Sequence, residues 1–376
     1  MAEALADLGE WELIRRLGAF APPGQFADDA AVLEADDRKP ETRSSAALDR
    51  DRVETGSHAR LISSGALVVN TDVLVEGLHF SDATTGPEDV GWRAAAANLS
   101  DLAAMGCTEV VGLTVGLVAP GSTPWSWVEG VYRGLSAALG RYGGLLLGGD
   151  CSGGEQRVLA VSALGRLSRE GGPIRRRDGR PGDWLVTSGP HGLSRLGLAL
   201  LRGELTGPGL PKPETAGQIR DPIHSAGLTD AAVQQAIRAH QRPLPRFDAV
   251  RAVIASRPAD SVWRVGGCDS SDGLAAAVRA IAGTSGCSAR LERQQLPLDP
   301  VMATLPSAEA WCLGGGEDFE LVLALEPPWA QALVQALPGA TVIGRLTEGQ
   351  AGDLGWSDAS PWPQASEGSG GFQHFG

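Results

Sequence analysis

The amino-acid sequence predicts a mixed α/β protein (α+β mixed) of two domains, and three observations carry that expectation. Strongly apolar runs of strand length alternate with amphipathic stretches of helical length. An Arg/Gly-rich run from Arg169 to Gly182 separates two such series. The 376 residues, 43% hydrophobic, are enough for two cores. The boundaries drawn are 1–168 for an N-terminal domain with an insertion at 35–64, and 169–376 for a C-terminal domain with an insertion at 203–228 and an irregular tail at 348–376.

Residues 8–17 have the spacing of a short helix, with Trp11, Ile14 and Leu17 on one side. Ala27–Leu33 reads as a strand with an acidic start, and residues 35–64, rich in Asp, Arg, Ser and Glu, as an exposed insertion. Ala66–Asp72 reads as a buried strand with a polar end, followed by Val75–Phe80 as a loop or further strand. The alanine-rich run from Trp92 to Asn98 is strongly helical and carries Asp101. Val110–Val118 is a strand; Thr123 and Pro124 start a helix whose stripe is Val128, Val131, Leu135, Ala138 and Leu139. Strands at Leu145–Asp150 and Val158–Gly165 complete the first half. The second half reads as a strand from Asp183 and helices at Leu193–Leu201, Phe247–Ser256 and Leu274–Ala282. A glycine loop then enters a strand ending at Leu325, followed by a helix at 328–337 and a strand at 341–346.

Acids recur at the ends of apolar runs: Asp28 and Asp29, Asp72, Asp150, Asp269 and Asp272. Asp is common at turns and helix caps, which is the better reading of any single one. Six in one context favour a shared site, because strand ends in α/β folds converge on a crevice where carboxylates hold hard divalent cations. Asp101 lies in a small, apolar helix where an unpaired carboxylate is costly, and Arg93 is the cation near it in sequence.

The formal net charge of −13 disfavours nucleic acid as a partner and leaves nucleotide phosphates in need of bridging cations. The sequence has no run of eighteen apolar residues, and its N-terminus lacks the pattern of a secretion signal, so a cytoplasmic protein with no membrane partner is expected. The five cysteines never take Cys-x-x-Cys spacing and are read as reduced packing residues. The two lysines, Lys39 and Lys212, lie in no phosphate-binding Gly-x-x-x-x-Gly-Lys loop, and no Gly-x-Gly-x-x-Gly opens a helix. Gly-Gly-Asp at 148–150 and Gly-Gly-Gly-Glu-Asp at 314–318 suit close approach to phosphate, a weak signal among 51 glycines.

In order, Asp28-Asp29-Ala-Ala-Val, Asn70-Thr71-Asp72 with His79-Phe80, Asn98-Leu-Ser-Asp101-Leu-Ala-Ala-Met-Gly, Gly148-Gly149-Asp150, Arg180-Pro-Gly-Asp-Trp-Leu-Val-Thr, Asp269-Ser-Ser-Asp272-Gly-Leu and Gly315-Gly-Glu317-Asp-Phe-Glu-Leu resemble the thiamine-monophosphate kinases, over about 340 residues. These belong to the superfamily of aminoimidazole ribonucleotide synthetase. The resemblance implies an aminoimidazole ribonucleotide synthetase-like fold, its N-terminal domain contributing to a β-barrel across a homodimer. It implies ATP and thiamine monophosphate as substrates and several Mg²⁺ ions as cofactor. It implies Asp29, Asn70, Thr71, Asp72, Asp101, Asp150, Asp269 and Asp272 at the metals, with Asp72, Asp101 and Asp150 catalytic. Gly149, Asp150, Arg176 and Ser271 match nucleotide contacts, and His79, Glu317 and Phe372 match acceptor contacts. Ala27 replaces a usual glycine, and Cys151-Ser-Gly-Gly replaces a Thr-rich turn. The rival readings are another ATP-using enzyme of the superfamily and a silent nucleotide or thiamine-phosphate binding protein. The selenide and carbamoyl branches use a reactive Cys near one terminus; here no Cys precedes Cys107 or follows Cys312.

Overall fold

The computed structural model describes residues 28–33, 66–205 and 227–363. The expected helix at 8–17, the whole insertion at 35–64, most of that at 203–228, and Phe372 lie outside the described residues.

Two sheets organise the chain. The first joins β1 (Ala31–Leu33), β2 (Leu67–Val75), β3 (Cys107–Ala119), β4 (Leu145–Gly153) and β5 (Val158–Leu167) in the order β1-β2-β5-β3-β4. All its pairs are antiparallel except β3 with β4. Two long helices, α1 (Pro87–Ala104) and α2 (Trp125–Tyr142), belong to this half. Pro87 opens α1 with its φ already helical, and Glu88 and Asp89 in the first turn complement the helix dipole. The alanines of α1 let it be buried nearly all round. Gly91 and Gly134 set its approach to α2: a Cβ on either would meet a carbonyl oxygen of the other helix at 1.9 Å.

The second sheet joins β6 (Trp184–Thr187), β7 (Gly266–Asp269), β8 (Ser288–Leu291), β9 (Leu321–Leu325), β10 (Thr341–Thr347) and β11 (Leu354–Trp356) in the order β11-β8-β10-β6-β9-β7. Its pairs are antiparallel except β11 with β8. The accompanying helices are α3 (Leu193–Arg202), α4 (Asp230–Gln241), α5 (Phe247–Ala255), α6 (Leu274–Thr284), α7 (Ala308–Gly314) and α8 (Pro327–Ala336). Val250, Val253, Trp329 and Leu333 from α5 and α8 share one core with Leu99, Leu102 and Val131 of the first half. Leu274, Val278 and Ile281 of α6 form a separate core with Ala289, Leu346 and Trp356.

Several expectations are corrected. The tail from 348 is not wholly irregular, because Leu354–Trp356 adds an edge strand with Leu354 and Trp356 buried. Helix α4 and strand β8 were not anticipated: α4 follows a polar insertion, and four-residue β8 is too short for a periodic signal. Cys151 is exposed while the other four cysteines are buried. Both sheets are mainly antiparallel, so the crevice rule of parallel sheets does not gather the acids. Asp72 lies inside β2, which runs on to Val75, rather than at a strand end.

Candidate active site

A cleft of about 960 Å³ is lined from both halves, with Asp72, Asp101, Asp269 and Asp272 at one part of its wall and His79, Arg93, His240, Trp311 and Glu317 among the rest. Its acidic part is assembled from four separate segments. Asp29 precedes β1, Asp72 sits in β2, Asp101 lies in the last turn of α1 and Asp269 ends β7. One carboxylate oxygen each of Asp29, Asp101 and Asp269 falls within 4.8 Å of the others.

The supporting bonds explain how three carboxylates are held so close. Asn70 Nδ2 donates to Asp101 Oδ2 at 2.7 Å. Ser100 Oγ donates to Asp269 Oδ2 at 2.6 Å, and Ser271 Oγ donates to Asp269 Oδ1 at 2.9 Å. Arg176 pairs through Nη2 with Asp29, and its main-chain N–H donates to Asp28 Oδ1 at 2.9 Å. Arg93, the cation nearest Asp101 in sequence, pairs with Glu317.

The electrostatics are those of an incompletely neutralised cluster. Burial pushes the Asp29 carboxyl up to about 7, against the pull of Arg176 and with Asp269 and Asp28 adding repulsion. Burial, then Asp269 and Asp272, push Asp72 up to about 6. Asp101 is held well above its ordinary range by burial and by Asp72, Asp269 and Asp29. Asp29 Oδ2 and Asn70 Oδ1 are buried without a hydrogen-bond partner. An all-oxygen donor set with orphaned acceptors and crowded negative charge fits a hard divalent cation such as Mg²⁺.

The remaining expected residues divide. Ser271 and Asp272 line the cleft beside Asp269. Strand alternation puts Asn70 on the side of α1, whereas Thr71, which also lines the cleft, has its hydroxyl 2.7 Å from Ser162 Oγ on neighbouring β5. Gly149 and Asp150 are not brought to the cleft within one chain; they lie opposite Val115 and Gly116 on the exposed edge strand β4. His79 accepts the Val75 N–H at Nδ1, 3.0 Å, which places a neutral ring's proton on Nε2. Burial pushes Glu317 up, but the Arg93 guanidinium beside it outweighs this and holds its carboxyl below the ordinary value.

Sequence reasoning missed Ser100, Arg93 as a partner of Glu317, and His240. Ser100 stood inside the Asn-Leu-Ser-Asp motif, and a buried serine in an apolar helix needs a bonding partner. Nothing local marks His240, which arrives from α4 through tertiary packing.

Residues 27–167 match the model of the AIR synthase related protein N-terminal domain, and residues 180–357 that of its C-terminal domain. The fold and the acid-lined cleft between its halves thus define an AIR synthase-related two-domain protein. A thiamine-monophosphate kinase of Prochlorococcus marinus is 41% identical over 99% of this chain and 98% of its own. That of Synechococcus elongatus is 43% identical over 99% and 98%. The solved structure of AaThiL complexed with AMPPCP and TMP superposes with a TM-score of 0.73 at 26% identity, covering 100% of this chain and 99% of that one. The chain belongs to the thiamine-monophosphate kinase family.

Proposed function

We propose that the protein transfers the terminal phosphate of ATP directly to thiamine monophosphate, giving thiamine diphosphate, with Mg²⁺ held by the acid cluster. The observation that carries this reading is the convergence of Asp29, Asp101 and Asp269 within 4.8 Å, in a chain aligned nearly end to end with thiamine-monophosphate kinases. Asp29, Asp72, Asp101, Asp269 and Asp272 would hold the cations, with Asn70 orienting Asp101. When bound, the metal would supply positive charge against the phosphates of both substrates.

The acceptor oxygen belongs to a phosphate whose second pKa is about 6, so at neutral pH it is largely dianionic and needs no strong general base. The chain's task is alignment and charge compensation. Arg176, fixed by Asp29 and Asp28, would steady the polyphosphate, and Ser271 would contact the nucleotide beside Asp269. His79 and Glu317 would form the acceptor's wall. In-line transfer without a phosphoenzyme follows.

The division of labour between residues 1–168 and 169–376 extends to a second copy of the chain. Every residue of β4 is exposed, including Leu145 at 68%, Leu146 at 43% and Leu147 at 44%. An uncovered apolar edge strand supports a homodimer closed through the first sheets. Gly149 and Asp150 would then serve a cleft shared across that interface.

A coupled assay with ATP and Mg²⁺ against thiamine, thiamine phosphate and aminoimidazole ribonucleotide precursors tests the reading. Turnover of thiamine phosphate alone is expected; inactivity on all three would favour a silent binding protein.

A further inference from the structure

Arg93 is buried, 4% exposed, yet lines the cleft and reaches three segments of chain. Its Nη2 donates to Glu317 Oε1 and lies 3.4 Å from the His79 carbonyl oxygen, while Nη1 donates to the His240 carbonyl oxygen. The His240 ring closes the figure. Its Nδ1 lies 3.4 Å from Glu317 Oε2 and 3.2 Å from Ser194 Oγ, and burial followed by Arg93 keeps the ring neutral, with a pKa lowered to about 3. Thus one oxygen of the carboxylate is gripped by Arg93 of α1 and the other lies against the neutral His240 ring of α4, yet the Glu317 side chain is 34% exposed and contributes to the cleft wall.

The backbone carrying Glu317 needs such a grip. Gly316, Glu317 and Phe319 have φ of 67°, 57° and 53°, a left-handed stretch that non-glycine residues adopt only when surroundings impose it. The Glu317 N–H donates to the Ser271 carbonyl at 2.7 Å, and Asp318 accepts the N–H groups of Gly192 and Ser194 at 2.7 and 3.0 Å, where α3 begins. Those bonds fix the main chain; the Glu317 side chain is fixed by Arg93 and His240.

Resting on the reading that thiamine phosphate is the acceptor, we propose that Arg93 and His240 are positioning residues for its cationic heterocycle. The pair clamps Glu317 and the His79 main chain into one wall and leaves the remaining carboxylate lone pairs turned to the cleft. A carboxylate accepts about four hydrogen bonds, so two held sites leave others for an amino group or a positive ring. The clamp includes none of the clustered acids, so its loss should weaken the acceptor rather than ATP.

Steady-state kinetics on Arg93→Lys, Arg93→Gln, His240→Gln and Glu317→Gln, with thermal midpoints, test this. Arg93→Gln is expected to raise KM for thiamine phosphate about tenfold or more, with KM for ATP changed less than about twofold. Arg93→Lys should restore part of that loss, and His240→Gln should show the same split more weakly. Arg93→Gln combined with Glu317→Gln should cost little beyond either alone, because both break one contact. A parallel rise of both KM values, a lowered midpoint with no split, or Arg93→Lys no better than Arg93→Gln overturns the proposal. If Arg93→Gln does not fold, the His240→Gln split decides. Wild-type inactivity toward thiamine phosphate would sink the functional reading itself; wild-type turnover without the split sinks only the clamp.

Discussion

Ser100 and Asp269, 169 residues apart, are joined by a hydrogen bond of 2.6 Å that ties the last turns of α1 to the end of β7. Ser100 is fully buried, so this bond fixes one carboxylate oxygen of the acid cluster from the opposite half of the molecule. Ser100→Ala leaves that oxygen without its donor and should lower unfolding free energy by about 1–3 kcal/mol. The Mg²⁺ concentration for half-maximal rate should also rise several-fold. Denaturant melts and a Mg²⁺ titration check both, and unchanged values would mean that Asp269 is held by other groups.

Asp101→Asn removes one negative charge from the cluster while keeping an oxygen for Asn70 to meet. Turnover should fall roughly a hundredfold or more, because charge compensation at the phosphates is lost. Without divalent cations the variant should melt above the wild type, since buried like charges oppose folding. Paired melts in chelator and in Mg²⁺ read this: the wild type should gain more from the metal than the variant.

Asp150 stands on an exposed strand away from the cleft, and Asp150→Asn should be folded and nearly inactive if it serves a partner's site. Mixing inactive Asp101→Asn and Asp150→Asn proteins and letting them exchange subunits should restore activity. Half the dimers are then mixed and each holds one intact site, so recovery should approach about a quarter of wild type. No recovery after demonstrated exchange would place Asp150 and Asp101 in sites of the same chain.

His191 is buried, with Nε2 3.0 Å from Ser270 Oγ and Nδ1 3.2 Å from the Gly189 carbonyl. Burial lowers its pKa from 6.5 to about 4. The unfolded chain therefore binds more protons than the folded one between these values, so this histidine's contribution is whole above pH 6.5 and is lost as pH falls through about 4. The destabilisation caused by His191→Gln, measured by urea melts in Mg²⁺, should shrink between pH 7 and pH 5. A gap that widens toward acid would reverse the sign of the shift.

Much of the site was legible because its chemistry lies in short motifs. An acid interrupting an apolar run is conspicuous, and Asp29, Asp101 and Asp269 stand out along the sequence itself. The strands around them followed from apolar runs, and α1 from its alanines. What failed did so for physical reasons. Four-residue β8 and three-residue β11 are too short for a period, and α4 emerges from a polar stretch. Arg93 and Asp101 are near in sequence, but the guanidinium reaches Glu317 instead.

The sequence by itself determined the mixed class, the inventory of acids, the likeness to thiamine-monophosphate kinases, and the excess of negative charge that calls for cations. Tertiary structure decided which acids meet. Asp29, Asp101 and Asp269 converge because β1, α1 and β7 pack together, whereas Asp150 stays on an outer strand. It also decided the pairing of Arg93 and His240 with Glu317. A residue's type and local propensity are written in its neighbours along the chain, but a carboxylate's partner, and with it its ionisation, depends on distances that exist only once both sheets have closed on their helices.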